Sequence, residues 1–112
     1  MIHLLKTEKE YFQKIADGLK PFEIRRNDRD YQTGDFLVLQ EGILGTHGFH
    51  PTGRFMLVEV TDVMFDERFC KAGYVTMTIE PCLVSRGALA EGNDWRMWNG
   101  SRFAVYGGAK QE

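Results

Sequence analysis

The chain is predicted to adopt an α+β fold: a small closed or nearly closed β-barrel with an N-terminal amphipathic helix packed against it. Three observations lead there. A helical apolar period occurs early, over residues 8 to 17. Beyond Pro21 the period changes to two and returns in several apolar runs separated by turn residues. Those runs would expose strand edges unless the sheet closed on itself.

The elements follow in order. Ile2 to Lys6 is a short apolar run and reads as a first strand. Thr7-Glu8-Lys9-Glu10 has the form of a capping box, in which the Thr7 hydroxyl accepts from the third helical N–H and Glu10 reaches back. Tyr11, Phe12, Ile15, Ala16 and Leu19 recur at helical spacing, and Gly18 suits the left-handed position that ends the helix. Phe22 and Ile24 then point one way, Glu23 and Arg25 the other, as in a half-buried strand. Asn27-Asp28-Arg29-Asp30 is a turn and Gly34-Asp35 a second. Phe36 to Gln40 is an apolar strand. Residues 41 to 53, with four glycines, one proline and two histidines, read as a loop. Phe55 to Val63 is the longest strand candidate, and Gly73 to Ile79 another. After Pro81 the pattern weakens until Arg102 to Tyr106, which has strand character. The organisation expected is a barrel over residues 1–81 and a C-terminal extension, 82–112, packed on the same domain.

A chain of 112 residues makes one domain, which buries roughly 65% of its unfolded surface. With 14 basic and 16 acidic residues the net charge is −2, which argues against coating nucleic acid by bulk electrostatics. A local basic cleft is still compatible, since Lys20, Arg25, Arg26 and Arg29 fall close together. No apolar run approaches the ~18 residues that span a membrane, and Met1 to Lys6 lacks a signal-peptide core. The expected location is cytoplasmic, away from any membrane. Cys70 and Cys82 form no Cys-x-x-Cys motif and read as free thiols in a reducing compartment.

Lys20, Glu23 and Arg25 are the first candidates for chemistry. Glu23 and Arg25 leave the same face of a strand, and Lys20 can swing over it. An acid between two cations can serve as a general base. It can instead read a base or sugar edge while the cations hold phosphate, or form an ion pair that fixes the strand. Asn27, Asp28, Arg29, Asp30 and Tyr31 combine turn chemistry with groups able to line a polar pocket. His47 and His50 have no cysteine or carboxylate cluster at metal-site spacing, so neither a metal nor any other cofactor is expected. A loop that touches a ligand suits them better. His3, in the first strand, reads as a half-buried histidine. Trp95 and Trp98, with Arg96 between them, could stack on nucleic acid, anchor a protein partner or pack the tail. Serine-nucleophile and glycine-rich phosphate motifs are missing from the sequence.

Gly18-x-Lys20-x-x-Glu23-x-Arg25, a turn, and Gly34-Asp35 together resemble the signature of the ASCH superfamily, relatives of the RNA-binding PUA domain. More narrowly, several segments look like the bacterial and phage DUF3850 family. They are His3-x-Leu5-Lys6, Tyr11-Phe12, the run Phe22 to Tyr31 with Gly34-Asp35, Thr52-Gly53-Arg54 and Gly73-Tyr74-Val75. The resemblance covers residues 1 to 80. It implies a PUA-like barrel and a cleft beside Gly18 to Arg25 that binds RNA or a modified nucleoside. One ASCH branch removes the acetyl group from N4-acetylcytidine. Its catalytic lysine matches Lys20, its threonine nucleophile falls at Glu23, and its glutamate faces only the short Asp66-to-Lys71 link.

Three functions are therefore in play. The leading expectation is an RNA- or nucleotide-binding module in which Lys20, Arg25 and Arg29 contact phosphate, Glu23 and Asn27 contact a base or sugar edge, and Tyr31 stacks. The alternative is a hydrolase of a modified nucleoside with Lys20 and Glu23 as acid/base groups. A third is a phage-type accessory protein that binds a host protein through Trp95 and Trp98. Whether Lys20, Glu23 and Arg25 line an open cleft or close on one another bears most on the choice.

Overall fold

The structure is a computed structural model that describes residues 1–85, 95–98 and 103–106, the last two segments as backbone alone. Its elements are β1 (Ile2–Glu8), α1 (Lys9–Ala16), β2 (Phe22–Arg26), β3 (Phe36–Gly45), β4 (Gly48–Met64), β5 (Tyr74–Ser85), β6 (Trp95–Trp98) and β7 (Phe103–Tyr106). All seven strands join one sheet in the order β1-β3-β4-β5-β6-β7, while β2 pairs with the first half of β5. The β1–β3 pair is parallel, Ile2 opposite Phe36, and the other ladders are antiparallel. The protein is thus a mostly sheet α+β fold, with one short helix among the described residues.

Alternation along the strands sets the core. Leu5, Leu39, Met56 and Val84 stand opposite one another across β1, β3, β4 and β5 and are buried, while Leu4, Val38, Leu57 and Leu83 form the parallel row on the outer face. Phe12 and Ile15, at helical spacing on α1, close the inner face against Leu37, Val58, Val60, Val75 and Met77. Truncating a side chain such as Phe12, which is wholly buried, to alanine costs about 3–5 kcal/mol through lost transfer energy and a residual cavity. No helix among the described residues is long and apolar enough to cross a membrane.

Among the described residues the sheet does not close by backbone pairing. Its order on this side is β1-β3-β4-β5-β2, so β1 and β2 are edges that face each other without a ladder between them. Guanidinium groups reach across instead. Arg25 Nη1 donates to the Lys6 carbonyl at 2.9 Å and Nη2 to the Thr7 hydroxyl at 3.0 Å. Arg29 Nη1 donates to the Leu4 carbonyl at 3.1 Å.

Three sequence expectations change. No capping box forms: β1 continues through Glu8, which is the N-cap residue and makes no side-chain cap bond. The buried Thr7 spends its hydroxyl as the acceptor for Arg25. In a half-buried strand the apolar face ordinarily turns inward, yet in β2 it is Glu23 that is buried and Ile24 that is 55% exposed. Residues 41 to 53 are the distal part of a β3–β4 hairpin turning at Thr46-His47, with Gly42 opposite Pro51 and Leu44 opposite Phe49. Gly42 is required by packing rather than by looping: a Cβ there would lie 2.2 Å from the Phe49 ring. β5 itself extends to Ser85, and its residues Leu83–Ser85 pair with β6. The strand expected at Arg102 to Tyr106 is present as β7. The side chains of Trp95 and Trp98, with the partner surface expected of them, lie outside the described residues.

Candidate ligand cleft at the open edge of the sheet

The cleft begins where α1 stops. Gly18 adopts φ of +76°, a conformation glycine takes without a Cβ clash. The Gly18 N–H bonds the Ile15 carbonyl at 3.0 Å and the Leu19 N–H the Lys14 carbonyl at 2.9 Å, the paired bonds of a Schellman motif. The chain then turns through Lys20-Pro21 into β2, where Pro21 offers its carbonyl to the Ile79 N–H at 3.1 Å. This stop fixes the root of Lys20. Its ammonium donates to the Phe22 carbonyl at 2.7 Å and to Glu23 Oε1 at 3.1 Å, and lies 4.7 Å from the Phe22 ring and 5.6 Å from the Tyr11 ring.

Glu23 is turned inward, its side chain only 4% exposed. A carboxylate so placed must be paired to be tolerated. It is: Lys20 engages Oε1, and Arg25 Nε engages Oε2 at 2.8 Å. Because Arg25 also holds Lys6 and Thr7, one hydrogen-bonded chain runs Lys20–Glu23–Arg25–Thr7 from β2 to β1.

Beside this chain a cavity of about 610 Å³ opens between β1, the outer side of α1 and residues 19–25. Four cations line it, Lys6, Lys14, Lys20 and Arg25, against two carboxylates, Glu8 and Glu23. Tyr11, Phe22, Leu19 and Ile24 supply its apolar wall. The trio from β2 therefore does both things at once: it closes on itself as an ion pair and forms one wall of an open cleft.

The other expected site residues lie elsewhere. Asn27 is exposed and uses its backbone N–H on the Gly73 carbonyl at 3.0 Å. Arg29 is committed to the Leu4 carbonyl. Tyr31 is a core residue, 5% exposed, with its ring edge-on to His3 at 4.8 Å, and offers no face for stacking. Burial raises its phenol above the ordinary value, against the lowering pull of Arg29 and Arg25. His47 and His50 sit exposed on the distal hairpin. Lys6, Thr7, Tyr11 and Lys14 are cleft residues that the sequence reading passed over. Tyr11 and Lys14 are three apart on one helix, a signal visible in the sequence once α1 is known to border the site.

Two further polar clusters brace the fold away from the cleft. The buried Glu41 carboxylate accepts from Arg54 Nε at 3.0 Å, from Arg54 Nη2 at 2.9 Å and from the Thr52 hydroxyl. Burial raises the Glu41 carboxyl, but these bonds outweigh it and hold it below its usual range. Asp35 accepts from His3 Nε2 at 2.9 Å, the Gln32 N–H at 3.0 Å and the Met1 ammonium at 3.1 Å. Burial again pulls upward, yet these donors bring its carboxyl down to about 2. Cys70 and Cys82 are free thiols.

Residues 2–79 match the model of DUF3850, a domain of unknown function. The chain belongs to this family. A 62-residue stretch is also 39% identical to the "Uncharacterized 12.9 kDa protein in GpA 3'region" of Escherichia phage P2, covering 55% of this chain and 53% of that protein. The chain thus spans about half the length of the curated relative it matches. Every residue lining the cleft falls inside the DUF3850 match, as does the whole β2–β5 ladder, whereas Leu83–Ser85, β6 and β7 lie beyond it.

Proposed function

We propose that this protein binds a nucleotide or a short stretch of RNA in the cleft at the β1–β2 gap. The observation that carries this reading is the cleft's charge. A chain of net charge −2 gathers four cations against two carboxylates around one cavity, with two aromatic rings in its wall. Cations favour phosphate and aromatic rings favour base stacking. A volume of about 610 Å³ suits a small ligand. The motif Gly18-x-Lys20-x-x-Glu23-x-Arg25 supports kinship with ASCH and PUA-like domains, and with it the same ligand class. Each Glu23 oxygen engages one cation and keeps a further lone pair, so the carboxylate can still accept from an amino group of a base.

Fluorescence anisotropy with labelled RNA oligonucleotides, and calorimetry with nucleotides, test the proposal. Affinity is expected to fall as salt rises and to drop on Tyr11→Ala. Failure of the wild type to bind any RNA or nucleotide at low salt would overturn it.

The 3.1 Å contact between Lys20 and Glu23 favours one second reading, hydrolysis of a modified nucleoside with this pair as acid and base. Release of cytidine from N4-acetylcytidine, abolished by Lys20→Ala, is its expected outcome. Absence of turnover across a nucleoside panel removes it.

A further inference from the structure

We infer that the ligand presents a terminal phosphomonoester, held by Lys6 and Lys14, with its base against Tyr11. This rests on the binding function proposed above and assigns the ligand's charge and its contacts.

The assignment follows from which cations are already committed. Lys20 gives its ammonium to a carbonyl, to Glu23 and to two aromatic rings. All three Arg25 nitrogens donate within the protein. Turning either side chain toward a phosphate would strip a partner from a carboxylate that is 4% exposed, and an uncompensated buried charge is strongly destabilising. Lys6 and Lys14 carry no such commitment. Neither forms a salt bridge among the described residues, and the ammonium of Lys6 lies 5.6 Å from the Phe49 ring. They are the cations left to meet an incoming anion.

Position and charge agree with this choice. Lys14 lies three residues after Tyr11, so helix α1 offers an ammonium and a ring on one side, and Lys6 lines the same cavity from β1. Tyr11 is 43% exposed, with Lys20 over its ring. Two uncommitted lysines stand against one uncommitted carboxylate, Glu8, in the lining. A terminal phosphomonoester, about −2 near neutral pH, can engage both ammonium groups and outweigh that carboxylate, where the single charge of an internal diester would not. A free nucleoside monophosphate and the phosphorylated end of an RNA strand share that chemistry.

Calorimetry at low salt distinguishes these sources. The probes are the four ribonucleoside 5′-monophosphates, the matching nucleosides, and one hexanucleotide bearing either a 5′-phosphate or a 5′-hydroxyl. Phosphorylated ligands are expected to bind about tenfold or more tightly than their unphosphorylated partners. Lys6→Ala and Lys14→Ala, both at exposed positions, should each remove most of that preference and lower the salt slope by about 1. Arg68→Ala, outside the cleft lining and paired with Asp66, should change neither. Tight binding of the monophosphates with a weak hexamer assigns the free nucleotide; equal binding of both phosphorylated forms assigns the strand end as well. If the 5′-hydroxyl hexamer binds as tightly as its phosphorylated form, binding stands and the phosphomonoester assignment falls. A phosphate preference indifferent to both lysine variants overturns the residue assignment. No binding by any probe overturns the binding function and this inference together.

Discussion

Replacing Arg25 with alanine removes one of the two cations on the Glu23 carboxylate, and with it two bonds that span the gap between the edge strands. The magnitude can be worked from these contacts. A hydrogen bond to a charged group is worth about 1.5–3 kcal/mol, and a neutral one about 1. Lys20 stays within 3.1 Å and softens the loss at Glu23. The vacated Lys6 carbonyl is open to water, which softens that loss too. Together these give about 3 kcal/mol, a large part of the 5–15 kcal/mol of a typical domain. Urea denaturation should register it as a midpoint lower by roughly 2 M at an m-value near 1.5 kcal/mol/M. Because part of the cost is a carboxylate left under-compensated, Glu23→Gln should relieve it. A double-mutant cycle is expected to give a coupling of about 2 kcal/mol. Additive losses, or a midpoint that hardly moves, would refute the view that the Glu23–Arg25 pair fastens β2 to β1. The same sum explains why Lys6 and Lys14 are cleaner probes of binding than Arg25.

Asp35 has a folded pKa of about 2 against an ordinary value of 3.8, so the folded state binds its proton less readily than the unfolded one. Its contribution, on the order of 2 kcal/mol, is full above about pH 4 and is lost as pH falls through about 2. Asp35→Asn should remove that part of the acid dependence in pH-resolved denaturation; an unchanged acid limb would count against it. Gly42→Ala forces the Phe49 ring off its position and should cost about 1–2 kcal/mol. Loss of the ring-current shift on the Lys6 side chain would report the displacement, and unaltered shifts would contradict it. Thr7→Ala should cost about 1 kcal/mol by removing an acceptor from Arg25, while Thr7→Ser retains it. Amide exchange over Lys9–Phe12 should not quicken, since Thr7 does not cap α1; selective fraying of that turn would show otherwise.

Period and turn chemistry made much of the fold legible. The change from a helical period to alternation at Pro21 marks the junction between α1 and β2, and Gly18 ends the helix as its placement predicts. What escaped was whatever depends on a distant partner. Thr7 has the local form of an N-cap, but β3 extends beside it and keeps residues 7 and 8 in the strand. The orientation of β2 could not be read from its own alternation. Glu23 is stable facing inward only because Lys20 and Arg25 meet it there, and pattern rules score such a residue as solvent-facing. Glycines 42, 45 and 48 signal a loop by composition, although they serve a hairpin: the Phe49 and His50 rings pack over Gly42 and Gly45, and Gly48 takes a φ of +105° beside the turn. Of the candidate site, the Lys20-Glu23-Arg25 wall was legible because it is contiguous in sequence. The facing wall of Lys6, Tyr11 and Lys14 was not, because it comes from two other elements that only the fold brings near.

The two edge strands that border the cleft come from the first 26 residues of the chain, whereas their partners are made later. β1 waits for Phe36–Gly42 and β2 for Tyr74–Thr78. During synthesis β2 is therefore made well before the strand it pairs with, whereas the partner of β1 follows within some 40 residues. Contacts so far apart in sequence form slowly, and until residues 74–78 have been made β2 has no strand to pair with. The Lys20–Glu23–Arg25 cluster leaves β2 charged over that interval, so the polarity that has to be paired in the finished protein needs no partner in the nascent one.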